Sequence, residues 1–245
     1  MKDEMQGHDF YDQPAVFARY TQKRKGANSP NERIEKPIIR QLVEGIEGDV
    51  LDLGCGYGDL SEELLVLGAS AYLGIDASAK MIALGQEQYQ DPRIKLAQAE
   101  LTSFDYGTAR YNWAIARLVL HYIEDLAGLF SRLYIGLRPN AQFLFSVEHP
   151  NLTSSMHLPR PPGKKQDWTV DQYFSEGPRH QQWMGSSVIK YHRSLETYWQ
   201  LLNEAGFRVA AIKEGRPDTS HFQNPSEYER RSRIPLFLII KAEKI

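Results

Sequence analysis

The chain has one cysteine, no long apolar run and almost no net charge, and each shortage closes off a class of function. A single cysteine, Cys55, forbids an intramolecular disulfide and leaves no cysteine cluster for zinc, so no metal is expected. No stretch is long and apolar enough to read as a membrane span, and the opening MKDEMQGHDF is polar and acidic rather than leader-like. The expected location is therefore the cytoplasm, with no membrane partner. Lys and Arg number 29 against 31 Asp and Glu, a formal net charge of −2, so no general field draws nucleic acid and none is expected as a partner. Internal repeats and low-complexity tracts are also lacking. What is present, 42% hydrophobic and 24% charged residues over a length of 245, suits one well-buried globular domain, 1–245, with room for a sizeable insertion.

The informative stretch is VLDLGCGYGDLSEELLVLGASAYLGID, Val50 to Asp76. Val50 to Leu53 reads as a short buried strand, and Gly54-Cys55-Gly56-Tyr57-Gly58 as a tight turn into a helix. Asp59 and Ser61 suit the start of that helix, Gly68 its end, and Ala71 to Ile75 a second strand that terminates in Asp76. Glycines at 54 and 56 clear side chains so that backbone N–H groups can approach a ligand, at the positive end of the following helix. Asp76 lies about twenty residues past the turn, where an acid accepts hydrogen bonds from ribose hydroxyls. Both features serve a dinucleotide as well, but Asp59 stands where a dinucleotide fingerprint wants its third glycine, which argues against a nicotinamide-dependent oxidoreductase. Cys55 fills a place that needs a small residue; a reactive nucleophile is the alternative.

Asp52, two residues before the first glycine, completes a D-x-G-x-G loop with a later acid. This resembles motif I of the class I S-adenosylmethionine-dependent methyltransferases. The resemblance implies an α/β, Rossmann-like fold: a seven-stranded, mostly parallel sheet with helices on both faces and a C-terminal antiparallel hairpin strand. It implies S-adenosylmethionine as cofactor, with S-adenosylhomocysteine as product, the methionine part facing Gly54, Cys55 and Gly56 and the ribose held by Asp76. The D-x-S-x-x-M run after Asp76 is similar to a further family motif and puts Ala77 and Met81 near adenine or ribose, although Met81 suits the core equally. Glu100 with Leu101 stands where the family has an acid for the adenine amine, usually Asp. Arg117, just past the fourth strand, joins the implied cofactor contacts. Asn112 replaces the Asp with which that strand usually begins, which weakens any claim to a base there.

The same resemblance makes residues 1–45 an N-terminal lid and first helix, with Tyr11, Tyr20 and Arg24 as lid contacts; packing or solvating the surface is the plainer role. Tyr20 and Arg24 are assigned to the cofactor and Tyr11 to the acceptor. Ser29-Pro30-Asn31-Glu32 opens a helix to about Glu44. Ser78 suits the cap of a helix to about Gln90, and Ile94 to Gln98, Tyr111 to Ala116 and Gln142 to Val147 read as strands three to five, with a helix from about Asp125 to Leu137 before the last. His121 and His149 fall just beyond the carboxyl ends of the fourth and fifth strands, where open α/β sheets bind ligands. An unperturbed imidazole there accepts a proton near neutral pH, so both are candidate bases and acceptor contacts; a hydrogen bond within the loop is the alternative for His121.

From Asn151 to about Ser187 the pattern dissolves into proline, glycine, histidine and aromatics, among them Trp168, Tyr173, Phe174 and Trp183. A connection of this length points to an acceptor-covering insertion, 151–192, in which Tyr173, Trp183 and His192 touch the acceptor; a packed excursion over the sheet is the alternative. Val188 to His192 offers a strand, Ser194 starts a helix that Gly206 ends, Phe207 to Lys213 is a strand, 216–233 a long connection and Pro235 to Lys241 the last strand. The combined expectation is methylation of oxygen or nitrogen on a small aromatic or heterocyclic molecule by a monomer or homodimer. The rival is a cofactor-binding, non-methylating catalyst or interaction module on the same fold.

Overall fold

The computed structural model describes residues 12, 13, 16, 17, 19, 29–158, 167–183 and 186–245, the side chains of 183 and 186 excepted. Its centre is a seven-stranded sheet of β1 (Gly48–Leu53), β2 (Ala69–Asp76), β3 (Ile94–Gln98), β4 (Tyr111–Arg117), β5 (Leu137–Glu148), β8 (Phe207–Lys213) and β9 (Phe237–Lys244). The spatial order is β3-β2-β1-β4-β5-β9-β8. Neighbours from β3 to β5 run parallel, and β9 is antiparallel to both β5 and β8. Strand order reverses beside β1, because β2 lies on one side and β4 on the other, and ligands bind outside the carboxyl ends at such a point. The expected sheet, with its reversed closing strand, is present.

Both faces of the sheet are covered, so its strands read as apolar runs rather than alternations. On one face α4 (Leu126–Gly136) and α6 (Leu195–Glu204) bury Leu129, Phe130, Leu133, Tyr198 and Leu202 against Leu51, Phe143, Phe145 and Ile240. On the other, α1 (Lys36–Leu42), α2 (Ser61–Leu67) and α3 (Ala79–Gln88) bring Ile39, Leu64 and Ile82 onto Val50, Tyr72, Trp113 and Ile239. Helix starts follow the expected caps: Ser78 Oγ accepts the Met81 N–H at 3.3 Å, and Asp125 accepts the Gly128 N–H at 2.8 Å. No helix among the described residues is long and apolar enough to cross a membrane.

Four local expectations change. The helix read from Ser29 begins instead with a wider-than-α turn over Asn31–Glu35 before α1. Arg138-Pro139-Asn140 does not separate helix from strand; it belongs to a longer β5, whose register shifts against β4 and which takes Asn140 at φ +64°. The segment read as irregular up to Ser187 holds α5 (Pro150–Thr153) and β6 (Gly177–Trp183), and β6 pairs with β7 (Ser186–His192) in a hairpin separate from the main sheet. The connection after β8 holds α7 (Pro225–Ser232).

Candidate active site

At the carboxyl ends of β1 and β2 the site is made of backbone. Leu53 lies opposite Ile75, so the glycine turn leaves β1 where β2 reaches Asp76. The Gly54 and Cys55 N–H groups both donate to the Ile75 carbonyl, at 2.8 and 3.1 Å. The Asp76 carboxylate takes the Gly56 N–H at 2.8 Å and the Ser78 N–H at 2.9 Å. The N–H groups expected to face a ligand are thus spent on fixing the loop itself. What the loop presents instead is space: Gly56 sits at φ +59° and a Cβ there would meet nothing within 4 Å, whereas one on Gly54, at φ +66°, would lie 2.5 Å from Val119. Burial raises the pKa of Asp76.

Beneath the loop, Asp52 is 3% exposed and accepts the Tyr72 hydroxyl at 2.7 Å. Its Oδ1 has no partner among the described residues, and burial pushes its pKa up to about 7. Over the loop, Asp12 accepts from Ser78 Oγ, and its carbonyl from Lys80 Nζ. Part of the N-terminal segment therefore lies across the tip of β2. Cys55 packs against the Cα of Gly74 and is buried, with its thiol pKa pushed up by burial and by the neighbouring acids Asp52 and Asp76. That is the small inert residue rather than a nucleophile.

A buried ion cluster joins the two halves of the edge. Arg117 ends β4 and gives Nε and Nη2 to Glu35 at 3.1 and 2.8 Å, and Nη1 to Asp59 at 3.4 Å. Ser146 on β5 donates to the same Glu35 at 2.7 Å, and its Oγ accepts the N–H of Leu118, held at φ +54°. Arg117 thereby ties the helical segment before α1 to the residue that follows the glycine loop.

At the ends of β4 and β5 the site is made of side chains. His121 is 2% exposed, and its Nδ1 accepts the Glu148 N–H at a long 3.5 Å. Burial, helped by the nearby Lys190 and Arg193, holds its pKa down at about 3. The ordinary basicity expected of His121 is therefore absent, and near neutral pH the ring is uncharged. His149 uses Nδ1 to accept the Asn151 N–H at 3.2 Å and points Nε2 at Glu214, 3.2 Å away. With Nδ1 an acceptor, the neutral ring carries its proton on Nε2. His192 spans Thr153 Oγ1, 2.6 Å away, and the Tyr173 carbonyl, 2.9 Å away.

A methyltransferase-domain model matches residues 50–140, from β1 to the start of β5. An uncharacterised Haemophilus influenzae protein is 31% identical, with 96% of each chain covered. A crystal structure from Listeria monocytogenes, described as a candidate S-adenosylmethionine-dependent methyltransferase, is 32% identical with a TM-score of 0.77, covering 86% of this chain and 96% of that one. A Mesorhizobium loti S-adenosylmethionine-dependent methyltransferase is 30% identical with a TM-score of 0.78, covering 88% of this chain and 98% of its own. The chain belongs to the S-adenosylmethionine-dependent methyltransferase family.

The family's cofactor fits what this family member offers: an open glycine beside the buried acid Asp76, and a buried Asp52 carboxylate oxygen with no donor among the described residues. Gly54, Cys55, Gly56, Asp76 and Ala77 lie together, and Glu100, exposed beyond β3, is close enough to raise the pKa of Asp76. Leu101 is buried in the core, and Met81 is 2% exposed. Arg117 is placed differently from a direct contact, because Glu35 and Asp59 occupy its guanidinium. Tyr11, Tyr20 and Arg24 lie outside the described residues, as does the side chain of Trp183. Two of the aromatics in the 151–192 segment have partners within the chain. Tyr173 packs edge-on against Phe174 and His192, with its hydroxyl accepting the Leu195 N–H at 3.3 Å, and Trp168 lies under Arg233. Sequence reasoning missed Glu35, Lys190 and Arg193. All three are buried charges, whose only sequence signal is a charged residue inside an otherwise core-facing segment.

Proposed function

We propose that the chain transfers a methyl group from S-adenosylmethionine to an oxygen or nitrogen of a small molecule held at the ends of β4 and β5. One observation carries the reading: the open Gly56–Asp76 corner and the buried His121 and His149, with half-buried Glu148 between them in chain order, sit on adjacent strand ends of one sheet edge. The cofactor supplies a methyl group already activated on a sulfonium. The chain's own work is to bind, orient and exclude water. Asp76 accepts from ribose hydroxyls, Asp52 offers an unpartnered acceptor oxygen under the loop, and Asp12 lies against Ser78 and Lys80 beside the corner. His121, neutral at working pH, orients the acceptor as a hydrogen-bonding group rather than as a strong base, and the β6–β7 hairpin closes the acceptor side. Residues 1–245 form a single catalytic domain in this reading.

Calorimetric titration with S-adenosylhomocysteine, run beside NADH, tests it. Micromolar binding of the first alone, weakened about a hundredfold in Asp76→Ala through loss of charged hydrogen bonds worth about 3 kcal/mol, is the expected result. Binding of NADH in place of S-adenosylhomocysteine overturns it.

A further inference from the structure

The β6–β7 hairpin is inside out. A hairpin laid on a protein ordinarily buries its apolar face. Here Arg179, Gln181, Lys190 and His192 are buried, at 7%, 3%, 2% and 0% exposure, with Val188 the one buried apolar side chain among the hairpin's described residues. His180 and Gln182 face solvent, with Ile189 and Tyr191 half-buried. The register sets Arg179 directly opposite Lys190, so two cations share one buried face, an arrangement that destabilises a strand pair unless something compensates.

The compensation within the chain is partial. Arg179 is satisfied by carbonyls of Ser154, Ser175 and Pro178. Lys190 pairs with Glu148 at 2.8 Å, and its ammonium lies 5.4 Å from the Tyr122 ring centroid. Arg193, just past β7 and 8% exposed, gives Nη2 to the Ile123 and Glu124 carbonyls at 2.7 and 2.6 Å, and its guanidinium lies within hydrogen-bonding reach of the Tyr198 hydroxyl. Its Nη1 and the Oε1 of Gln181 have no hydrogen-bond partner among the described residues. The surrounding acids are committed: Glu176 to Ser194 and Thr197, Glu124 to the Tyr191 hydroxyl, Glu214 to His149. Lys190 and Arg193 both depress the protonation of His121, so these groups converge on the acceptor side of the edge.

We infer that the acceptor carries a carboxylate or phosphate group, seated under the hairpin against Arg193 and Lys190, while Gln181 accepts a hydrogen bond from a hydroxyl or amine of the same molecule. The inference rests on the methyltransferase reading of the site. An anion there gives Arg193 Nη1 an acceptor, and a donor on the same molecule satisfies Gln181 Oε1. An acceptor lacking these groups leaves Arg193 Nη1 and Gln181 Oε1 unpaired at a buried site, where unpaired polar atoms are costly.

The test uses the full chain saturated with S-adenosylhomocysteine, titrated at fixed ionic strength with benzoate, phenyl phosphate, benzamide and the three hydroxybenzoate isomers. Benzoate or phenyl phosphate is expected to bind at least about tenfold more tightly than benzamide, the size of one charge-assisted hydrogen bond, and which of the two prevails identifies the anion. Arg193→Gln is expected to lose that preference while keeping S-adenosylhomocysteine affinity. Arg193→Lys serves in its place if the glutamine variant does not fold, and is expected to keep the preference only in part. One hydroxybenzoate is expected to gain over benzoate in the wild type and to lose that gain in Gln181→Leu. Equal binding of benzoate, phenyl phosphate and benzamide by the wild type, or an Arg193→Gln protein that keeps the anion preference, overturns the inference. Failure of the wild type to bind S-adenosylhomocysteine is a different result and overturns the reading beneath it.

Discussion

At the β1–β2 end of the sheet edge the site is backbone from one contiguous stretch, whereas at the β4–β5 end it is side chains gathered from β5, β7, the turn after β4 and the connection after β8. The first kind of construction needs glycines and one acid, and its hydrogen bonds, Gly54 and Cys55 to Ile75 and Gly56 to Asp76, are local or one strand apart. The second needs burial of charge, with Glu148 and Lys190 on separate strands and Glu214 reaching His149 from beyond β8. A backbone site tolerates exchange of most side chains around it. A side-chain site is sensitive at each member, because removing one leaves its partner buried and unpaired.

The largest expected break lies where the two halves meet. Arg117 and Glu35 have side chains 4% and 0% exposed, so Arg117→Met strands a buried carboxylate. The expected cost is about 3–5 kcal/mol, a fall of about 10 °C in the melting midpoint of a chain this size. Adding Glu35→Leu removes the stranded charge and is expected to restore most of the loss, which a double-mutant cycle in thermal or urea unfolding reads directly. A double variant no more stable than Arg117→Met assigns the cost to packing instead.

The same contrast decides what was legible in the sequence. Val50 to Asp76 gave up strand, turn, helix, strand and acid because apolar runs and glycines carry the signal for each. Of the hairpin only β7 was legible, as Val188 to His192; β6 was not, since Arg179, His180, Gln181 and Gln182 are polar on both faces and a period of two leaves no trace in hydrophobicity. Helix α7, PSEYERRS, buries no residue and reads as a connection for the same reason. His121 was placed correctly at the strand end, but its neutrality comes from burial, helped by Lys190 and Arg193 about seventy residues on, and no local pattern shows either.

A smaller effect sharpens the comparison inside the loop. Gly54→Ala and Gly56→Ala both force a left-handed backbone on an L-residue, at about 1–2 kcal/mol. Only the first also drives a methyl into Val119, adding about 1–3 kcal/mol of overpacking. Gly54→Ala should therefore lower the melting midpoint more than Gly56→Ala. Gly56→Ala, whose methyl enters the open corner, should weaken S-adenosylhomocysteine binding by more than its own small stability loss explains. Equal affinity in Gly56→Ala and the wild type removes that corner from the cofactor site.

The smallest effect is a pair of opposed pH slopes. His121 has a folded pKa of about 3 against 6.5 when unperturbed, so between those values the unfolded chain binds a proton that the native chain refuses, and stability rises with pH. His149 and His192, also lowered mainly by burial, act in the same direction. Asp52 behaves oppositely: with a folded pKa of about 7 against 3.8, the native chain holds a proton that the unfolded chain has lost, and stability falls as pH rises through that window. Each group contributes up to about 1.4 kcal/mol per pH unit where its two states differ by a full proton. Urea unfolding at pH 5.0, 5.5, 6.0 and 6.5, values set above about 4.5 where ordinary carboxylates finish titrating, separates the two halves of the edge. His121→Asn is expected to make stability rise less steeply with pH, and Asp52→Asn to make it rise more steeply. A slope that either variant leaves unchanged would mean that its group titrates normally, and the half of the edge to which it belongs would then be open to water rather than buried.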